Sequence, residues 1–467
     1  MNCLTLRIFL SLIAALAFVP ASRAGTDAKD FVAGAPAFEE MVRRPLSLGE
    51  ALNIAATRNA TILAAKSEVE ARYGIAIQVR AIVLPKALAE IGYSVSQDSL
   101  IEANENSTVG PIVNNQAWSS DVRIVQSIYE GGRMLSAIRQ NKLIREQAML
   151  DFRTAVADVL LQVRIAYDDA QLAALQIRLR QQSFTLLGSL SEKVAEQLAV
   201  GLVSEFEDLR AKVEQANAAT PLALARQDFV IAKQRLVQLM GYDEPVTAAN
   251  NLGLQLTTPL RSPAYDGELA TALAAAEVQR TELASLGVAQ KLGDEAIVVA
   301  KSGYFPSVQV FAGYGALSRA QSRDPGDPVH GALTGIQLSW AIFDGQFTAG
   351  RVMEARARRD QIGHNIDDVR RRVGLEVRTA WERMAQARVI LQTQGGNVKA
   401  ADRTIELAET RFTTGSGTQL EILSAQTALT DARDFYATAL RNYSVAYSQL
   451  LRATGEDMSM ATKSRGR

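Results

Sequence analysis

The sequence has 467 residues, of which 48% are hydrophobic, 21% are charged and only 6% are aromatic. Its 50 Lys and Arg residues are balanced by 50 Asp and Glu residues, so no large basic field exists and nucleic acid is not expected as a partner. The apolar residues are mainly Ala, Leu and Val, which favours long, closely packed helices over β-sandwiches.

Residues 1–24 are predicted to form a secretory signal peptide. Arg7 precedes an apolar run over 8–19, and small residues stand three and one positions before Gly25, as a cleavage site requires. The only cysteine, Cys3, precedes that apolar run, so the mature protein would have no disulfide, reactive thiol or cysteine-linked lipid. We therefore expect an exported protein. After residue 24 the sequence contains no run of about 18 apolar residues, so no membrane-spanning helix is predicted.

The rest of the chain is predicted to be a tandem duplication. Landmark residues recur in both halves at intervals of 37, 72 and 40 residues. The paired landmarks are Leu48 and Leu269, Pro85 and Pro306, Tyr129 and Phe343, Gly201 and Gly415, and Gly241 and Gly455. The halves differ by seven residues only between the proline and the YEGG or FDGQ turn, which predicts a surface loop there. The spacing predicts a first repeat at 25–241, a linker at 242–267, a second repeat at 268–455 and a tail at 456–467.

Each repeat is predicted to contain two β-strands, at about 88–96 and 121–129 in the first and about 307–315 and 333–343 in the second. Apolar residues alternate there with polar or small ones, as in Ala89, Ile91, Tyr93 and Val95. Strands of about 9–11 residues cross a bilayer when tilted. Four strands cannot close a barrel, and an open edge in lipid costs several kcal/mol for each unpaired backbone group. The chain must therefore oligomerise, and this argument leaves dimer, trimer and tetramer open.

Two long helices are predicted at about 133–198 and 347–412. Apolar residues advance along both by alternating steps of four and three, which is the coiled-coil pattern. The first row contains Phe152, Val156, Val159, Val163, Ala166, Ala170, Ala173 and Ile177. Each helix would be about 100 Å long at ~1.5 Å per residue, which no compact globular domain needs.

The duplicated unit, the LSLGEAL opening at 46–52 and the VGLV segment at 200–203 together resemble the TolC family of outer-membrane efflux proteins. The resemblance covers nearly the whole mature chain. It implies a mainly α fold with a membrane β-barrel portion. Three copies would form a periplasmic α-helical barrel joined to a 12-stranded outer-membrane β-barrel, with the linker in an equatorial region.

The resemblance also implies two functional regions at the turns that end the long helices. The turns at 201–204 and 415–418 would dock a periplasmic adaptor protein. Their residues are Gly201, Leu202, Val203 and Ser204, and Gly415, Ser416, Gly417 and Thr418. Four residues match positions of the family's periplasmic gate or pore ring: Glu207, Phe412, Glu421 and Ser424. Phe412 stands where the family prototype has a tyrosine, Gly417 where it has an arginine and Ser424 where it has a second acid, so the prototype's closing bridges are not expected.

A structural interpretation of the same residues stays open. Glu207 and Glu421 fall in the first turn of a predicted helix, where a carboxylate is favoured by the helix dipole. Thr418 is a plausible N-cap for the second of these helices. Gly201 and Gly415 are typical turn formers, because a tight turn needs a residue free to adopt a positive φ.

The leading functional hypothesis is a passive exit duct in the outer membrane, with a large periplasmic portion. It would work as a homotrimer embedded in outer-membrane lipid, with an adaptor and an inner-membrane ABC or proton-driven pump, in tripartite efflux or type I secretion. The alternatives are a structural or adhesive trimeric coiled-coil surface protein and an exported hydrolase. No enzyme activity, cofactor or metal site is predicted, since His330 and His364 are isolated and no nucleophile constellation is present. The substrate cannot be predicted.

Overall fold

The computed structural model describes residues 41, 44–95, 97, 116–242, 254–265, 267–318 and 328–456. The predicted signal peptide, the linker residues 243–253 and 266, and the predicted tail beyond Glu456 lie outside the described residues.

The chain divides into two compact units that do not coincide with the two repeats. The first unit comprises the described residues within 1–63 and 162–260, and the second comprises the described residues within 64–161 and 261–467. The first repeat therefore contributes to both units, whereas the second repeat lies within the second unit. In chain order the described elements are β1 (Pro45–Leu46), α1 (Leu48–Arg58), α2 (Ala60–Arg80), β2 (Lys86–Val95), β3 (Gln116–Glu130), α3 (Arg133–Ala199), α4 (Glu205–Leu239), β4 (Gln255–Leu256), α5 (Leu269–Gln279), α6 (Thr281–Lys301), β5 (Ser307–Ser318), β6 (Pro328–Ser339), α7 (Phe347–Thr413) and α8 (Gln419–Thr454).

The two long helices α3 and α7 have the same length of 67 residues. Strand β3 begins five residues before the expected 121–129, and the expectation for the last strand, 333–343, is wrong at both ends. Strand β6 ends at Ser339 because its partner β5 begins at Ser307, which pairs with Ser339. The alternation of apolar residues continues to Ile342, but without a partner strand these residues form no ladder.

Strands β2, β3, β5 and β6 form one antiparallel sheet in that order, in the second unit. Residues paired across an antiparallel ladder share a face. One face is mainly apolar, with pairs such as Tyr93 and Trp118, Val122 and Tyr314, and Val310 and Ile336. Its polar residues include Ser120, His330, Thr334 and Gln126, and Gln126 donates Nε2–H bonds to the carbonyls of Val83 at 3.1 Å and Ser127 at 2.7 Å. This apolar face is exposed in the single chain.

The opposite face of the sheet carries the charged side chains Glu90, Asp121 and Arg123 and several glycines, together with apolar side chains such as Leu88, Phe311 and Leu333. Arg123 bonds Glu90 at 2.7 Å and lies 3.8 Å from Asp121. A Cβ at Gly313 would lie 2.8 Å from the Cβ of Arg123, so the pairing of β5 with β3 leaves no room for a side chain at position 313. The charged side chains of the four strands therefore lie on one face of the sheet, and the other face is mainly apolar. Among the described helices, none is both long and apolar enough to cross a membrane.

In the first unit, the buried Tyr167 of α3 joins the short parallel pair β1–β4 to the helices. Its hydroxyl donates to the carbonyl of Leu46 and accepts from the amide of Thr258, both at 3.0 Å. Helix α1 begins with a capping box between Ser47 and Glu50. A buried hydroxyl with both a donor and an acceptor fixes the position of this end of the unit.

In the second unit, the heptad row of α7 forms the core together with α8 and α5. The row contains Val373, Val377, Ala380, Met384 and Ala387, which pack with Tyr443 and Leu450. Its alanines let the neighbouring helices come close, as the sequence pattern predicts.

An ion-pair network surrounds the break between α5 and α6. Buried Arg280 bonds Glu376 at 2.9 Å and Glu282 at 3.1 Å, and Arg452 bonds Glu282 at 2.5 Å and Asp158 at 2.8 Å. Burial alone would raise the pKa of Glu282, but the hydrogen bond from Arg452 and the charges of Arg452 and Arg280 lower it below its usual value. The network keeps every charge paired at a place where the helix direction changes.

Candidate functional site at the helix turns

The turn after α3 is a Schellman motif, in which a left-handed glycine ends the helix. The amide of Gly201 donates to the carbonyl of Leu198, and the amide of Leu202 donates to that of Gln197, both at 2.9 Å. Gly201 has a φ of 74°, and a Cβ added there would meet no atom within 4 Å. The glycine is needed for its backbone conformation and not for space.

Helix α4 then begins with a reciprocal capping box. The carboxylate of Glu207 accepts from the Ser204 amide at 2.9 Å, and the Glu207 amide donates to the Ser204 hydroxyl at 3.4 Å. These bonds satisfy two backbone donors of the first turn. The structural interpretation of Glu207 thus has a direct geometric basis, and a pore role remains a proposal.

Apolar side chains are exposed around this first turn. Leu202 is 75% exposed and Phe206 71% exposed, and Val200 beside them is equally open. Asp208, in contrast, is 4% exposed and bonds Lys212 at 2.7 Å through one carboxylate oxygen. Its other oxygen is buried without a hydrogen-bond partner among the described residues.

The turn after α7 has the same backbone and different side chains. Gly415, with a φ of 75°, donates to Phe412 at 3.0 Å, and Ser416 donates to Arg411 at 2.9 Å, which is again the Schellman pattern. Thr418 is the N-cap of α8 and accepts from the amide of Glu421 at 3.3 Å. Both predicted tip turns therefore stand where the spacing places them.

Arg411 organises this second turn, although sequence reasoning did not single it out. Its carbonyl accepts from the amides of Ser416 and Gly417, both at 2.9 Å, and from the hydroxyl of Thr414 at 3.0 Å. Its guanidinium donates to the carbonyl of Ser416 at 3.3 Å and lies 3.5 Å from the carboxylate of Glu421. A basic residue in the last turn of a helix is the available sequence signal, since such residues often bond the final carbonyls.

The absence of a side chain at position 417 has a local cause. A Cβ on Gly417 would lie 2.9 Å from the amide nitrogen of Phe412 and 3.0 Å from the carbonyl carbon of Arg411. The chain folds back onto the end of α7 too closely for any other residue. The family prototype has an arginine at this position, whereas here Arg411 approaches Glu421 instead.

Three of the four predicted gate residues lie in the same unit. Phe412, Glu421 and Ser424 belong to the second unit, where Phe412 is half-buried and Ser424 is exposed one turn beyond Glu421 on α8. Glu207 belongs to the first unit. Within the second unit, Glu421 is the member with a charged partner, and that pair is largely solvent-exposed, which limits it to about 0–1 kcal/mol.

Comparison with known proteins agrees with this geometry. The sequence model of the family described as Outer membrane efflux protein matches residues 272–456. The chain is 24% identical to the cobalt-zinc-cadmium resistance protein CzcC of Cupriavidus metallidurans over 93% of this chain and 96% of CzcC. It is 21% identical to the outer membrane protein TolC of Escherichia coli over 73% of this chain and 70% of TolC. The solved structure of the Campylobacter jejuni CmeC outer membrane channel matches with a TM-score of 0.72 at 17% identity, covering 89% of this chain and 88% of CmeC.

The mainly helical fold with its amphipathic sheet is therefore that of an outer-membrane channel. Residues 272–456 of the chain match the outer membrane efflux protein family, which is a family of channels and not of enzymes. The chain is an outer-membrane protein with a large periplasmic portion.

Proposed function

We propose that the protein is a passive, homotrimeric exit duct that carries substrate from an inner-membrane pump and a periplasmic adaptor to the cell exterior. The observation that carries the proposal is the four-stranded sheet, which has one mainly apolar face and carries its charged side chains on the other face. In a membrane, the apolar face meets lipid and the face with Glu90, Arg123 and Asp121 lines a water-filled lumen.

The two edges of the sheet support an oligomer. Strands β2 and β6 each pair on one side only among the described residues. Edge groups left without partners in lipid cost several kcal/mol each, and pairing β6 of one copy with β2 of the next removes both edges. Three copies give twelve strands, the number that the family resemblance implies, whereas two or four copies would give eight or sixteen.

The tip turns are the proposed docking surfaces for the adaptor. Their residues are Gly201, Leu202, Val203 and Ser204, and Gly415, Ser416, Gly417 and Thr418. The second turn lies at the far end of α7 from the strands, about 100 Å along a helix of 67 residues. A periplasmic partner meets such an end before it meets the membrane portion. The periplasmic entrance is proposed to carry a ring of Glu421, with Glu207, Phe412 and Ser424 as its other members.

The likeness to CzcC extends over nearly the full length of both chains. Divalent metal cations are therefore the first substrate class to test, by comparing the cobalt, zinc and cadmium tolerance of cells with and without the protein. A passive duct requires no shaped pocket of its own, so drugs, polysaccharides and secreted proteins stay as alternatives.

The decisive experiment is single-channel recording from the purified protein in a planar lipid bilayer. We expect discrete conductance steps that persist without any energy source. A folded outer-membrane trimer that gives no currents under conditions that open related channels would instead support the structural or adhesive alternative.

A further inference from the structure

A groove in the second unit lies where the helices meet the strands. It has a volume of about 540 Å³ and runs between the end of α6, with its following 3₁₀ turn Ser302–Tyr304, and the first three turns of α7. The 3₁₀ turn packs closely on α7, since a Cβ at Gly303 would lie 2.5 Å from the hydroxyl of Thr348. The groove is thus a fixed feature of the helix–strand junction.

The groove combines cationic ends with apolar walls. Lys301 and Arg356 supply the charges, and Tyr304, Phe305, Val352 and Met353 supply the walls. Among the described residues that line the groove, none carries a carboxylate. Within the part of the chain that the structure describes, neither Lys301 nor Arg356 forms an ion pair, whereas Arg358 and Arg359 nearby on α7 bond Glu354 and Asp294. Two unpaired cations beside apolar walls match a ligand with an anionic head and an apolar body.

Aromatic residues place the groove at the boundary of the membrane. The apolar sheet face ends at Leu338, and the exposed rings that follow it are those of Tyr304, Phe305, Trp340, Phe343 and Phe347. Clusters of exposed aromatic residues mark the edge of the hydrocarbon layer in membrane proteins. Since the helices are periplasmic, this edge faces the periplasmic leaflet of the outer membrane.

We propose that this groove binds the headgroup of an anionic phospholipid of the periplasmic leaflet. The phosphate lies between Lys301 and Arg356, because guanidinium and ammonium groups are the usual protein partners of phosphate. The acyl chains follow Phe305 toward the apolar sheet face, which is continuous with the groove. Basic pockets at membrane interfaces recognise anionic headgroups in this way.

Trp340 is a built-in reporter for this site, because its indole N–H donates to the carbonyl of Tyr304 at 3.2 Å. The changes Trp118→Phe and Trp381→Phe leave it as the single tryptophan of the mature chain. The protein is placed in phosphatidylcholine nanodiscs that contain a small fraction of brominated phosphatidylglycerol or brominated phosphatidylcholine, and quenching of Trp340 gives the relative affinity for the two lipids.

We expect a preference for phosphatidylglycerol on the order of thirty-fold, at about fivefold for each cation. The Lys301→Gln/Arg356→Gln variant should lose the preference, and each single variant should keep about fivefold. The matched control is Lys291→Gln/Arg378→Gln, which removes the same charges from the same helices about 15 and 33 Å farther from the strands. This control should keep the full preference, and excess soluble glycerophosphate should not compete.

Four outcomes would overturn the proposal. Equal quenching by both lipids, or a preference unchanged in the double variant, removes the headgroup site. Competition by glycerophosphate indicates a site for soluble anions. Quenching that appears only after the trimer dissociates shows that a second copy covers the groove. Native mass spectrometry of lipid bound to the protein with all its tryptophans gives the same comparison if the single-tryptophan background misfolds.

The experiment separates this proposal from the exit duct. Lipid preference without channel currents would support the lipid site and contradict the exit duct. Normal currents without lipid preference would support the exit duct and contradict the lipid site.

Discussion

The two tip turns have the same backbone and opposite surfaces. Each ends a 67-residue helix with a left-handed glycine in a Schellman motif, continues to a Ser or Thr N-cap and places a glutamate three residues later. The positions correspond throughout at an interval of 214 residues, as from Gly201 to Gly415 or from Glu207 to Glu421.

At most of the remaining positions, the side chains of the two turns differ. Leu202 in the first turn corresponds to Ser416 in the second, Val203 to Gly417 and Gln197 to Arg411. The first turn therefore exposes apolar surface, while the second bonds to itself through Arg411. Duplication preserved the bonds that end and start helices, since these depend on a few residue types, and left the outward side chains free to diverge. We infer that the first turn provides most of the adaptor contact.

The largest expected effect tests whether the helices that carry the two turns are equivalent. Ala170 of α3 and Ala387 of α7 are both buried in heptad rows. Ala170→Glu and Ala387→Glu should each abolish trimers, because a buried, unpaired charge costs about 3–5 kcal/mol. Heat-resistant trimers in outer-membrane fractions are the measurement. The exposed positions Gln162→Glu and Gln392→Glu are controls, and normal trimers in both core variants would remove the heptad assignment.

A smaller effect is expected from the apolar surface of the first turn. Leu202→Ser and Phe206→Ser should each weaken adaptor binding about tenfold or more, as loss of a central apolar contact does at protein interfaces. The matched changes in the second turn, Ser416→Ala and Leu420→Ser, should weaken it less. Adaptor affinity of purified trimers is measured alongside efflux in cells. Equal losses from the two turns would contradict the asymmetry.

Gly417→Ala should loosen the second turn without affecting trimer assembly. The added Cβ would meet backbone atoms of Phe412 and Arg411 at 2.9–3.0 Å, so the turn must open. Val203→Ala, the matched change in the first turn, should do nothing comparable. Hydrogen exchange at the Ser416 and Gly417 amides, both bonded to Arg411, reports the opening. Unchanged protection in Gly417→Ala would show that the turn relaxes without breaking these bonds.

The smallest expected effect concerns the charge at the entrance. Three copies of Glu421 near a trimer axis would attract cations, and Arg411 in each copy offsets part of that charge. Glu421→Gln should reduce cation selectivity and block by trivalent cations, while Arg411→Gln should increase both. Arg403→Gln, which breaks an ion pair elsewhere on α7, is the control. If reversal potentials and block do not change in Glu421→Gln, the residue serves only the start of α8.

The positions of most elements follow from local sequence signals. Gly201 and Gly415 predict their turns because only a residue without Cβ accepts the left-handed conformation at no cost. The alternation in Ala89–Val95 predicts a strand because successive side chains point to opposite faces. The prediction of a channel came from the family resemblance, because neither periodicity nor composition specifies that the assembly conducts anything.

Other features depend on neighbours that are distant in the sequence. The end of β6 is set by the start of β5, so the alternation beyond Ser339 misled the strand assignment. From the sequence, Gly417 is noticed only because the family prototype has an arginine at this position. The structure shows that only glycine fits there, against the backbone of Phe412. Arg411 acquires its role only because the turn brings Ser416 and Glu421 back to it. A sequence pattern states what one segment prefers, but a contact needs the position of a second segment, and only the folded chain provides it.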